Sequence, residues 1–321
     1  MWLINTQTLE LKEFLEGRIP QYAILSHRWS ESEVSFDEFL KGKYDLRQEG
    51  YLKIRDFCHR YAWVDSCCID KRSSAELSES INSMFKWYRN ARMCYVYLSD
   101  VDDEPDSWEY QLRRSKWFTR GWTLQELLAP REIQFFSKTW KPLGSKFELI
   151  ELLSSITKIP PEYLLGYRPL GEASIAQRMS WAANRVTTRE EDMAYSLLGI
   201  FDINLPLLYG EGQKAFIRLQ EEIIRQSNDD SILAWGFSYS KDTLPWTPHP
   251  ITGSTCGPLA RHPSAFSECG SIIRCERWEG RRSCTFGRGP RVKIVTNTRP
   301  SLLPAIISYI YHYPPDTFLA L

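Results

Sequence analysis

Chemistry-bearing residues gather in a few short segments of this chain. Ser26-His27-Arg28-Trp29, Asp65-Ser66-Cys67-Cys68-Ile69-Asp70 and Ser99-Asp100 each close an apolar run. A fourth stretch, Trp117-Phe118-Thr119-Arg120-Gly121-Trp122 with Glu126, precedes another such run. The collection offers a cation pair, indole faces and several carboxylates. A thiol beside His27 would make a nucleophile pair, with Cys67 or Cys68 as candidates. No Asn or Asp is placed to orient the imidazole, however, and burial explains a cysteine more often than reactivity does. A P-loop phosphate cradle is excluded, because no G-x-x-x-x-G-K-[ST] occurs. Gly210-Glu211-Gly212 enters a helix but follows no convincing strand. The eight cysteines form no C-x-x-C pair, so no structural metal is expected.

These segments need elements to position them. YAILS (22–26), YAWVDS (61–66), MCYVYLSD (93–100) and EIQFFS (132–137) read as strands rich in β-branched and aromatic residues. Amphipathic stretches separate them. The clearest is the stripe Leu77, Ile81, Met84, Phe85 and Tyr88, which opens with a Ser73/Glu76 capping box. Strand–helix alternation implies a mostly parallel sheet with helices on both faces. Open sheets of that kind bind ligands at the carboxyl ends of their strands, which is where the polar segments fall. After Trp140 helix follows helix: 146–157, 174–185, 188–201 and 212–226, two of them opened by Ser174/Gln177 and Thr188/Glu191. From 236 the chain is rich in Pro, Gly and Ser, with weak strands at SIIRCERW and RVKIVTN or partial disorder.

Forty Lys+Arg balance forty Asp+Glu, which argues against a dedicated nucleic-acid binder. The longest apolar stretch, Leu302 to Tyr311, is broken by Pro304 and falls short of the ~20 residues a membrane helix needs. The N-terminus lacks the pattern of a signal peptide, so the thiols are expected in a reducing compartment. The acidic run Asp100 to Glu109 and the basic run Arg274 to Arg299 read as solvated surface, with some mutual pairing.

At YAILSHRW, YAWVDSCCIDK, SAELSESINSMFKWYRNARMCYVYLSDV and SKWFTRGWTLQELLAP the sequence resembles the fungal heterokaryon-incompatibility (HET) domain, over about residues 22–130. Residues 174–235 look like the helical region that follows HET domains. The resemblance implies a cytoplasmic fungal allorecognition or programmed-cell-death protein that works with protein partners or by self-assembly. It also implies an α/β fold distantly like the Toll/interleukin-1 receptor (TIR) domain, with a flavodoxin-like sheet. The expected divisions are a HET domain at 1–140, a helical region at 141–235 and a C-terminal extension at 236–321.

In TIR proteins that cleave NAD, a glutamate lies in a W-x-x-x-E-L context. Trp122 to Leu127 fits it, and the resemblance places the catalytic carboxylate on Glu126. NAD would then be a substrate, with no cofactor and no metal. Nicotinamide leaves as a neutral group, so one ionised carboxylate beside the oxocarbenium-like ribose could suffice. Ser26, His27, Arg28, Trp29, Asp65 and Trp122 would bind the substrate, Arg28 on the pyrophosphate and Trp29 or Trp122 stacked on a ring. This reading expects Glu126, Arg28 and Trp29 in one cleft. The alternative is a non-enzymatic signalling scaffold.

Overall fold

Near-continuous apolar strands covered on both faces build the centre of the molecule. The computed structural model describes residues 1–57, 61–105, 107–235 and 259–273. Its sheet comprises β1 (Trp2–Asn5), β2 (Glu10–Glu13), β3 (Ala23–His27), β4 (Tyr61–Val64), β5 (Met93–Tyr97), β6 (Ile133–Phe136) and β7 (Pro142–Ser145). They lie in the order β2-β1-β4-β3-β5-β6-β7. The inner four, β4-β3-β5-β6, are parallel. Antiparallel β1 with β2, and β7, complete the edges. All five residues of β3 are buried. Numbered in chain order, the parallel strands run second, first, third, fourth. Their order therefore reverses between β3 and β5, which makes that point the natural crevice.

The helices are α1 (Phe36–Leu40), α2 (Glu49–Asp56), α3 (Ser74–Asn90), α4 (Trp108–Arg114), α5 (Thr123–Leu128), α6 (Ile150–Thr157), α7 (Pro161–Leu164), α8 (Ile175–Ala182), α9 (Asp192–Tyr195), α10 (Leu198–Phe201) and α11 (Lys214–Gln226). Ser73 accepts the Glu76 amide as expected, but the Glu76 carboxylate takes the Asp70 N–H instead of closing the box. The reciprocal box forms at Ser35 and Glu38. The helix expected over 188–201 is two short helices. Glu191 does not cap it; its carboxylate accepts the N–H groups of Gly210 (2.7 Å) and Gly212 (3.0 Å).

Two compact units emerge: Met1–Leu170 with Arg185–Leu219, and Gly171–Asn184 with Gln220–Leu321. They fall differently from the composition-based divisions. The first holds the sheet. In the second, α8 is buried nearly all round, and its first amides are taken by Asp229 (2.9 Å), Ser231 (3.0 Å) and Ser174 (3.0 Å). Gln220 bonds Ala260 through both its amide atoms. The weak strands expected after residue 271, and Cys58, Cys256, Cys275 and Cys284, lie outside the described residues except at 271–273, which form no strand.

Candidate functional site

Glu126 is the centre of a buried polar cluster under the crevice. Every residue of α5 is buried, and Glu126 is only 4% exposed. Ser26, on β3, donates its hydroxyl proton to the Glu126 carboxyl and accepts the Trp117 indole N–H at 2.9 Å. The Tyr88 hydroxyl, on α3, also reaches Glu126. Burial pushes the Glu126 carboxyl up to about 8, helped by the negative charge of Asp65. Ser26, Tyr88 and the Arg185 guanidinium pull the other way without overcoming it. At neutral pH this side chain is an uncharged acid.

Local geometry explains why α5 sits there. A Cβ on Gly121 would lie 2.4 Å from the Thr187 methyl, so only glycine lets the turn approach this closely. Its N–H donates to Val186 O at 2.9 Å. The buried Arg185 guanidinium donates to Arg120 O (2.8 Å) and Thr123 Oγ1 (2.9 Å), pinning the first turn of the helix.

His27 turns away from Glu126 and bonds Glu33 through Nε2 at 3.2 Å. Lys53 Nζ and the Ser30 amide also donate to Glu33. Burial alone would raise the Glu33 pKa, but the His27 and Lys53 contacts outweigh it and hold the carboxyl well below its ordinary range. Trp29, 48% exposed, donates its indole N–H to Asp65 Oδ2 at 2.9 Å and carries the Lys71 ammonium over its ring. Arg28 reaches Asp100, with Nη1 4.0 Å from the carboxylate. Trp122 hydrogen bonds Asp192, which also accepts the Tyr209 hydroxyl.

The structure thus joins Ser26 to Glu126, with Asp65 in electrostatic reach, and joins Trp29 to Asp65. Among the described residues no hydrogen bond or ion pair joins Glu126 to Arg28 or Trp29. Glu126 points into the core from a helix buried all round, whereas Arg28 and Trp29 lie past the end of β3, where solvent and Asp100 or Asp65 compete for them. A cleft of about 220 Å³ runs past Trp29, Glu33, Ser66, Lys71 and Arg72 without touching Glu126. That is below the roughly 300–1,000 Å³ of small-molecule pockets and small for a dinucleotide. Trp117, Tyr88, Arg185, Glu33 and Lys53 complete the polar clusters. Only Trp117 stood out in the sequence, because the others are ordinary helix or loop residues, and the partners of Tyr88, Arg185 and Lys53 lie 20 or more residues along the chain.

Cys67, Cys68 and Cys94 are buried free thiols, and burial raises the Cys67 and Cys94 pKa values, which argues against Cys67 as a nucleophile; Cys68 is closed off by its burial. Asp102 and Asp103 pair with Lys138 and Lys141, while the basic run Arg274 to Arg299 lies outside the described residues. Among the described residues no group of three or more His, Cys, Asp or Glu is placed to hold a metal, and no helix is long and apolar enough to cross a membrane.

Residues 22–107 match the family model described as Heterokaryon incompatibility protein (HET), and residues 214–282 match a domain of unknown function (DUF8212). The vegetative incompatibility protein HET-E-1 of Podospora anserina is 49% identical over 240 residues. The match takes in 70% of this chain and 17% of that protein, so the chain spans a minor part of its relative's length. No solved structure matches significantly.

Proposed function

Given that the chain is a heterokaryon incompatibility (HET) domain protein, we propose that it serves non-self recognition leading to cell death through assembly or partner binding, and not through cleavage of NAD by its resting form. One observation carries this choice. Glu126, the carboxyl that cleavage would need charged against a ribose, is buried and holds its proton up to about pH 8. The guanidinium meant for the pyrophosphate is engaged with Asp100. The test is expression of the wild type and Glu126→Gln in a fungal host, with light scattering on both purified chains. Equal loss of viability and equal concentration-dependent association are expected. A Gln variant that folds, associates and fails to kill would overturn the proposal.

A second reading has its own support. A buried acid beside another carboxylate and a serine, at the reversal point of a parallel sheet, is the kind of perturbed group that functional sites contain. The second-first-third-fourth order of the four parallel strands, which matches the start of the 2-1-3-4-5 order of flavodoxin-like sheets, supports a TIR-like reading. A pyridinium cation brought next to Glu126 would favour its ionisation. In this reading, displacement of the covering segments precedes NAD cleavage, and only a triggered protein consumes NAD.

A further inference from the structure

Trp29 is half exposed, yet it is held from two sides. Asp65 Oδ2 accepts its indole N–H at 2.9 Å, and the Lys71 ammonium lies 3.6 Å from the ring centroid. A carboxylate on the N–H pushes electron density into the indole and makes its face a better seat for a cation. Lys71 itself has no carboxylate in ion-pair range among the described residues, whereas the neighbouring Arg72 is committed to Asp70 and Asp37. The adjoining cleft of about 220 Å³ is lined by Glu33, Asp37 and Asp70 against Lys71 and Arg72, an acidic majority.

Ser66 Oγ is buried here without a hydrogen-bond partner in good geometry, and Asp65 Oδ1, which does not line the cleft, is unpartnered behind it. Unpaired buried acceptors are costly, and a ligand rich in N–H donors relieves them. Ser66 lines the cleft directly.

We propose that Trp29, Asp65 and Ser66 form a recognition site for a donor-rich organic cation, a guanidinium or primary ammonium on a short stem, and that Lys71 fills it as an internal surrogate. The cleft volume suits one such head with its stem. The donor requirement favours arginine or lysine chemistry over a quaternary ammonium, which could use the ring face but not the Ser66 hydroxyl. Glu126 does not line this cleft, although the Asp65 charge reaches that carboxyl.

The test uses the full chain, with the Trp29 indole N–H resonance assigned by Trp29→Phe. The probes are N-acetyl-arginine methylamide, an arginine flanked by glycines in a peptide, and tetramethylammonium. Lys71→Met, which keeps the stem and removes the charge, is expected to bind the arginine probes about tenfold or more tighter than the wild type. The Trp29 resonance should shift, and tetramethylammonium should bind more weakly. Trp29→Leu in the same background is expected to lose binding. A peptide that binds better than the free amide assigns the site to a partner protein's side chain, and equal binding assigns it to a small metabolite. Should Lys71→Met disturb folding, Lys71→Gln provides the same comparison. No binding by a folded Lys71 variant, or binding that survives Trp29→Leu, would show that Lys71 is merely packed on the ring.

Discussion

Glu126 illustrates how a single residue can be legible in type and not in state. Its place in Trp122-Thr-Leu-Gln-Glu-Leu marked it as a candidate, but the segment's pattern could not reveal that every α5 residue is buried. The burial has a measurable consequence. The folded carboxyl holds its proton to about pH 8, against an ordinary value of 4.5, so the folded state binds the extra proton between these limits. That contribution to stability is fully present below 4.5 and is lost as pH rises to about 8, at up to about 1.4 kcal/mol per pH unit. Melting curves from pH 5 to 8.5 are expected to show the wild type losing stability relative to Glu126→Gln. Parallel curves would place the carboxyl in solvent. At the same scale, Cys67, Cys68, Cys94 and Cys269 are expected to resist a thiol reagent in the folded chain and to react once denatured, because all are buried. Rapid labelling of any of the four in the native protein would contradict this.

At the scale of elements, the sequence revealed what was apolar and continuous. Strands β4 to β6 fall within the runs read for them and β3 passes the end of its run by one residue, His27, since a strand covered on both faces needs an unbroken apolar run. Strands β1, β2 and β7 escaped notice; the edge strands Glu-Leu-Lys-Glu at β2 and Pro-Leu-Gly-Ser at β7 carry no apolar run and no fully buried residue. The split of 188–201 was hidden for a different reason: the Glu191 carboxylate is claimed by amides about twenty residues on. Two variants test how the helices are fixed. Arg185→Met removes the donor to Arg120 O and Thr123 Oγ1 and should cost about 3 kcal/mol in urea unfolding. A loss under about 1 kcal/mol would mean that α5 is anchored without it. Gly199 permits α10 to lie against α3, where an added Cβ would come 2.0 Å from Phe85 Cβ. Gly199→Ala should therefore destabilise by about 1–3 kcal/mol, less when combined with Phe85→Gly, which removes the Cβ it meets. Full additivity would argue against direct contact.

For the whole molecule, the two compact units are not successive in sequence, which no composition shift could announce. Helix α8 takes its amide partners from Asp229 and Ser231, and the Ser174 hydroxyl donates to Ile272. A chain ending at residue 219 should therefore lose hydrogen-exchange protection at Ile175 and Ala176, while the β3 and β5 amides keep theirs. The family was readable because YAILSHRW, YAWVDSCCIDK and GWTLQELL resemble HET-domain motifs in their order. The activity was not, since it turns on whether a carboxyl is charged and reachable. The most direct measurement is therefore NAD content alongside viability in a fungal host expressing wild type or Glu126→Gln. Signalling by assembly leaves NAD equal in both strains until the cells die, with death at the same rate. Early loss of NAD with the wild type, abolished by a correctly folded Gln variant, would contradict it and make Glu126 the catalyst.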